Sequence, residues 1–309
     1  MRNTHPHRHL LIRSPRGPGT RGLVRLRRGC FVEREAWEKL SVEDQHVARA
    51  VDVHRSLRGG GAVISHASAA ALWGLPTWGS TLARVHVTRA GTSGGRIEQT
   101  RHLHIDALDP LDITCRHGIE VTTPARTVLD VARTSGIEAG IVTGDAAIHQ
   151  GLATTAQMRE CLGRLPRRQG IQHARETVGL IDGRSESVGE SRSRLVLKAE
   201  GLPPPVLQPL LFDEGGAMIG RADFLLEERV VGEFDGRIKY GALLRAGDHP
   251  GDVVFREKLR EDAIRDAGWT VVRWTWADLA DPARLGERVR RSIERARRLP
   301  APRGTWRPS

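Results

Sequence analysis

Cysteine is scarce and unpaired in this chain. Cys30, Cys115 and Cys161 stand far apart with no Cys-x-x-Cys pair among them, so the cysteines indicate neither a zinc site nor a disulfide framework. Long apolar runs are also missing. No window is apolar enough to span a bilayer, and the basic start lacks the apolar segment of a secretory leader. A cytoplasmic, reduced protein with no membrane partner is the expectation. No glycine-rich loop follows a strand, which removes support for nucleotide hydrolysis, and no internal repeat is visible. Lysine is sparse, at Lys39, Lys198, Lys239 and Lys258, beside many arginines. What the chain does have is length for two domains with real cores (309 residues) and a formal net charge of +11. That balance favours an anionic partner, most simply DNA.

The most informative stretch is Gly220-Arg221-Ala222-Asp223-Phe224, with Glu233-Phe234-Asp235-Gly236 beginning ten residues after Asp223. It reads as two adjacent strands, near 218–226 and 229–235, each carrying carboxylates in an apolar run. Buried carboxylates are costly unless they hold a cation or an ionic partner. Either a divalent metal occupies them, or they end the strands in solvent. Glu233 and Asp235, two apart, share a face, and Phe234 takes the other. A two-residue turn at Glu227-Glu228 would set Asp223 opposite Gly232 and split Asp223 from Glu233; a longer or bulged connection would align them. An irregular connection is therefore predicted.

Around the acids, a helix is predicted from near Val188 to Gly201, a strand over 206–212, a turn at Glu214-Gly215-Gly216, and a helix from about Asp252 to Ala267. Leu259, Ala263, Ile264 and Ala267 share one face of that last helix, Gly268 stops it, and 269–274 is a final strand. From Asp281, Leu285, Val289 and Ile293 form an apolar stripe in an arginine-rich helix that should pack on the preceding domain; Arg303 to Ser309 reads as disordered tail.

Helix, three strands, helix, strand, with those acids, resembles the core of the PD-(D/E)XK nucleases, and most of all the very-short-patch-repair-type endonucleases. The matching residues are Glu190, Gln208, Asp223 in Arg-Ala-Asp-Phe, Glu233-x-Asp235-Gly236 with Lys239 beyond, the run 257–262 and the run 268–274. The resemblance covers roughly 184–282. It implies a restriction-endonuclease-like αβββαβ domain, a Mg²⁺ or Mn²⁺ cofactor held by Asp223, Glu233 and Asp235, assistance from Glu190, and Lys239 positioning water or phosphate. The general motif places its lysine where Asp235 stands, which is why Lys239, with Arg237 as a poorer proton donor, takes that role here. Arg237, Lys258 and Arg260 would meet DNA.

The N-terminal region carries a second resemblance. Residues 63–76, an alanine-rich helix with Ser65 as N-cap and Gly74 and Pro76 at its end, are similar to a segment of AbiEi-like antitoxins of type IV toxin–antitoxin systems. Residues 21–32 would be the basic hairpin wing, with Arg25, Arg27 and Arg28 on phosphates. The helix-turn-helix that should precede a wing is missing, and residues 1–19 read as a basic tail. Strands near 84–88 and 100–105 follow, then a helix opening at Thr123-Pro124 and helices near 138–150, 155–163 and 168–180. His102 and His104 share a strand face, but no third ligand lies at useful spacing, so no metal pair is expected there.

The resulting expectation is an α/β (α+β) protein with a tail at 1–19, an antitoxin-like region at 20–182 (a partial wing at 20–60), a nuclease-like domain at 183–282 and a basic helix and tail at 283–309. Three functions stay open. One is a metal-dependent DNA endonuclease in defence or repair; another is a non-catalytic, antitoxin-like DNA-binding regulator, with a toxin as possible partner. The third is an assembly protein meeting acidic partners.

Overall fold

The fold is taken from a computed structural model that describes residues 10–13, 22–57, 61–165, 167–236 and 250–309, side chains of 250–254 excepted. The protein belongs to the α+β class, with helices and several sheets distributed over two compact units, Met1–Gly183 and Arg184–Ser309. Among the described residues no helix is long and apolar enough to cross a membrane.

The first unit begins with a small sheet of β1 (Ile12–Arg13), β3 (Cys30–Glu33) and β2 (Leu23–Arg27) in that spatial order. Thus part of the expected N-terminal tail is a strand, Ile12 pairing with Phe31. Helices α1 (Arg34–Glu38) and α2 (Val42–Ser56) follow. A six-stranded sheet is then assembled from β4 (Ala62–Ile64), β5 (Val85–Ala90), β6 (Arg96–Ile97), β7 (Arg101–Asp106), β8 (Ile113–Arg116) and β9 (Ile119–Thr122), ordered β6-β7-β5-β4-β9-β8. Between β4 and β5 lies α3 (His66–Trp73). One face of the sheet buries Ile64, Val85, Val87 and Val121 against Val47 and Val51 of α2. Four helices complete the unit: α4 (Pro124–Ser135), α5 (Ile137–His149), α6 (Thr155–Arg164) and α7 (Ile171–Leu180). Thr123 caps α4 with its hydroxyl on the Arg126 amide, and Pro124 occupies the first turn, where its missing N–H costs nothing.

Ser65 departs from its expected role. It precedes α3 but makes no side-chain cap; its hydroxyl instead meets Thr88 at 2.7 Å and His66 Nδ1 at 2.9 Å.

His46 shows what burial does to a titratable group here. It is 0 % exposed, with Nδ1 3.0 Å from the Leu82 carbonyl and Nε2 2.7 Å from Ser68 Oγ. Burial pushes its pKa down to about 4, partly offset by the Leu82 bond. The unfolded chain therefore binds a proton near pH 6.5 that the folded chain refuses until about 4. Stability is lost as pH falls through that window, by about 3 kcal/mol for this group. Urea unfolding followed from pH 7 to pH 4.5 should give a distinctly flatter pH dependence for His46→Gln than for the parent; equal slopes would contradict the assignment.

The second unit runs α8 (Val188–Ala199), β10 (Val206–Leu207), β11 (Leu210–Phe212), β12 (Met218–Arg221), β13 (Phe224–Leu226), β14 (Val230–Asp235), α9 (Pro250–Asp266), β15 (Thr270–Thr275), α10 (Trp276–Leu279), α11 (Pro282–Arg297) and β16 (Thr305–Arg307). Its main sheet is ordered β10-β13-β14-β15, with β14 and β15 parallel. One face packs Phe224, Phe234 and Trp274 against Leu197 of α8 and the stripe Leu285, Val289 and Ile293 of α11. The opposite face packs Leu225 and Val231 against Ile264 of α9 and Ala267 just beyond it. Leu259, expected on that buried face of α9, is 52 % exposed. The expected disordered end is also corrected: Thr305–Arg307 adds a strand to β11, Leu211 facing Trp306.

Candidate functional site

Two strands read as continuous in the sequence are broken in the structure, at neighbouring points. The apolar run 206–212 divides at Gln208-Pro209, where Gln208 has a φ of 54°. The run 218–226 divides at Ala222-Asp223. Past the break, β11 and β12 pair in a separate sheet with β16, while β10 and β13 stay in the main one. The Gln208 amide donates to the Asp223 carbonyl at 3.0 Å, so both breaks are held together. The hairpin bends here, and the bend lifts Asp223 out of the ladder.

The connection between β13 and β14 is the irregular one that alignment of the acids requires. It comprises three residues, Glu227, Glu228 and Arg229, with φ of 47° and 57° at the two glutamates. Leu226 faces Val230 and Phe224 faces Gly232, where the pairing ends; continued one step, that register would bring Asp223 level with Glu233. Asp223 Oδ2 accepts a 2.8 Å hydrogen bond from the Phe234 amide. Phe234 itself points to the α8 side, where its ring fills the space a Cβ at Gly189 would need, 1.9 Å away.

Glu233 is 8 % exposed and both its oxygens are taken. Arg260 of α9 donates to Oε1 at 2.5 Å, and Arg273, its register partner on β15, lies 2.8 Å from Oε2. Glu257 accepts from the same two arginines at 2.6 Å each, and Glu261 pairs with Arg273 at 3.0 Å and with Arg265. Three carboxylates meet three guanidiniums, and the cluster closes near neutrality. Burial works against the Arg260 cation, but its bonds to Glu257 and Glu233 outweigh that and raise its pKa. Burial likewise raises Glu257, and the two arginines overcome it to hold the carboxyl below its usual range. Arg273, Glu257 and Glu261 were not picked out as a site by sequence reasoning. Only the register of the parallel β14–β15 pair brings Arg273 beside Glu233.

Glu190 stands elsewhere. It is 4 % exposed at the start of α8, the helix that covers the Phe234 face, and accepts from the Glu186 amide at 2.9 Å, Ser187 Oγ at 2.7 Å and Gln208 Nε2 at 2.8 Å. Its charge is satisfied by that cap and by Gln208, so it braces the hairpin bend rather than joining Asp223 and Glu233. Asp235 is half-buried at the end of β14. The donor atoms of Asp223, Glu233 and Asp235 are not gathered as a trio: among the described residues, the group whose donor atoms all lie within 4.8 Å of one another is His66, His86 and His104. Sequence spacing around His102 and His104 does not reveal this group, because α3 and β5 deliver His66 and His86 beside His104 from distant sequence, and His102 is not part of it.

As a donor set, Asp223 and Glu233 offer the hard oxygens that Mg²⁺ takes, one or two carboxylates beside waters and phosphate. Lys239 and Arg237 lie outside the described residues. Of the arginines expected on DNA, Arg25 and Arg28 are exposed on the β2–β3 hairpin, while Arg27 is bound to Asp52 through both Nε and, at 3.1 Å, Nη2. Lys258 is exposed on α9, and Arg260 is engaged as above.

No family model matches the chain. Uncharacterized proteins from two strains of Mycobacterium tuberculosis are each 32% identical to it over 242 residues, spanning 77% of this chain and 84% of theirs.

Proposed function

This chain belongs to the family of the two mycobacterial proteins, and we propose that it is a DNA-binding protein whose second unit is a metal-dependent DNA endonuclease of the PD-(D/E)XK, very-short-patch-repair-like kind. The observation that supports this most is the three-residue connection at Glu227–Arg229, whose register, continued one step past Phe224–Gly232, would bring Asp223 level with Glu233. A regular two-residue hairpin would have separated them. Asp223 and Glu233 would hold the Mg²⁺ or Mn²⁺, which supplies charge stabilisation at the scissile phosphate. The protein's own residues position them: Gln208 anchors Asp223 from the bend, Glu190 anchors Gln208, and Arg260 and Arg273 fix the Glu233 carboxylate. The exposed Arg25 and Arg28 of the first unit, with the net charge of +11, suit a phosphate backbone.

A second reading, an antitoxin-like regulator that binds DNA without cutting it, is favoured by the occupancy of both Glu233 oxygens by guanidinium groups. Supercoiled plasmid incubated with Mg²⁺ or Mn²⁺ separates the two. On the first reading the wild type nicks or linearises the plasmid, and Asp223→Ala abolishes this while keeping DNA affinity within a few-fold. Equal cleavage by wild type and variant would remove the first reading. Salt-sensitive DNA binding without cleavage would establish the second, and absence of DNA binding at low salt would remove both.

A further inference from the structure

We propose that the first unit carries a transition-metal site of the zinc class, built from His66, His86 and His104 on the face of the six-stranded sheet that α2 leaves uncovered. The three imidazoles come from three elements: His66 is the first residue of α3, His86 lies on β5 and His104 on the adjacent β7. Their candidate donor nitrogens all lie within 4.8 Å of one another, with His86 Nδ1 and His104 Nε2 2.9 Å apart. Two nitrogens on a tetrahedral zinc at 2.0–2.1 Å stand about 3.3 Å apart, so the pair needs to open by less than about half an ångström. The His66 and His104 rings stack with centroids 3.8 Å apart, and to aim both lone pairs at one ion they would have to turn about the soft ring torsion.

Three further observations point to a ligand. First, His66 and His86 are buried, at 5 % and 8 % exposure, in a place where an apolar side chain would otherwise be expected. Second, His66 holds a φ of 52°, a left-handed conformation costly for a residue with a side chain, and such strain collects at functional positions. Third, a supporting group already touches it: Thr88 Oγ1 donates to Ser65 Oγ at 2.7 Å, and that oxygen lies 2.9 Å from His66 Nδ1, so an Nδ1–H bonded to it would leave Nε2 to meet the metal. Metal-bound histidines are held in this way through their other nitrogen.

The electrostatics agree. Burial, then the neighbouring histidines, push His104 down to about 3, and burial and His102 push His86 to about 4, so both rings are neutral at pH 7, and a metal would replace the hydrogen bond they share. Arg126 and Arg133, which act on His66, are paired with Asp130 and Asp106, while Arg84, which acts on His86, donates to the Glu98 carbonyl. Three neutral imidazoles without carboxylate or thiolate select zinc and its neighbours rather than Mg²⁺ or Ca²⁺, and leave a fourth position for water.

The test uses the full chain in which His5, His7 and His9 are changed to alanine, because the histidine-rich start would bind metal on its own. After removal of metal with a chelator, Zn²⁺ titration with elemental analysis should find one tightly held equivalent, and Co²⁺ should give the intense absorption of a four-coordinate nitrogen-rich site. His86→Gln and His104→Gln should each weaken zinc binding at least ~100-fold, since even loss of an outer partner typically costs 10–100-fold; His102→Gln should cost less than about tenfold. No retained equivalent, or undiminished binding by both variants, would overturn the site. Should the variants fail to fold, judged by circular dichroism, the Co²⁺ spectrum of the parent decides alone: a weak six-coordinate spectrum overturns it. Neither result depends on plasmid cleavage, so this site and the endonuclease reading stand or fall separately.

Discussion

Arg126→Leu should lower the stability of the first unit by about 3–5 kcal/mol, the cost of leaving buried carboxylates without their cation. Arg126 is 1 % exposed, and its guanidinium bridges three aspartates: Nε to Asp130 at 2.9 Å, Nη1 to Asp112 at 3.2 Å and Nη2 to Asp106 at 3.3 Å. A fourth bond reaches the Ala107 carbonyl at 2.8 Å. Asp112 keeps Arg164, and Asp106 keeps Arg133 and Arg168, when Arg126 is lost. Asp130 keeps only Arg133 at 3.5 Å, is 0 % exposed, and has Oδ2 without a hydrogen-bond partner even in the intact protein. Burial raises its pKa despite the arginines beside it. Removing Arg126 therefore strands a charge that water cannot reach. Changing Asp130 to Leu as well removes the stranded group, so the double variant should recover more than half of the loss. Urea unfolding, with hydrogen exchange read over 61–183, measures both. A single variant within about 1 kcal/mol of the parent, the size of an ordinary substitution, would show that the remaining arginines suffice.

The sequence announced some of this and hid the rest, for reasons that lie in the range of the interactions involved. Thr123-Pro124 is a local signal, and α4 starts there. The Arg126–Asp130 spacing is also local, one helical turn. Asp106 and Asp112, which complete that cluster, arrive from a strand and a short 3-10 helix, and no spacing rule connects them. The same division holds at the candidate site. The three-residue connection could be anticipated because pairing register is arithmetic along one hairpin. The breaks at Gln208 and Ala222-Asp223 could not, since the apolar pattern runs through them and only the separate pairing of β11 with β12 and β16 reveals the bend. His66, His86 and His104 are the plainest case: 38 residues lie from the first to the last, the pairing of β5 with β7 brings His86 and His104 together, and the start of α3 delivers His66. Where periodicity predicts one buried helix face, Ile264 and Ala267 are buried but Leu259, nearer the start of α9, is 52 % exposed.

Trp274→Ala should cost the second unit about 3–5 kcal/mol, the range for truncating a fully buried aromatic. Trp274 is 0 % exposed near the end of β15; its ring lies 5.3 Å from that of Phe224 and occupies the space above Gly232, where a Cβ would come within 2.5 Å of it. The glycine and the tryptophan are therefore one packing decision, a large side chain on one strand accommodated by none on its neighbour. Its Nε1 donates to Ser193 Oγ at 2.7 Å, and that hydroxyl donates in turn to the Gly189 carbonyl at 2.6 Å, so the indole also fixes α8 on the sheet. Trp274→Phe keeps most of the packing and drops the hydrogen bond, and should cost about 1–2 kcal/mol. The two variants together divide packing from hydrogen bonding. Because β14 carries Glu233 and β13 begins directly after Asp223, hydrogen exchange should show protection lost at 224–226 and 230–235 in Trp274→Ala, while the amides of 85–90 in the first unit keep theirs. Protection retained across both strands would mean that α9 alone holds the sheet, and that the aspartate–glutamate alignment needs no support from the Phe224–Trp274 side.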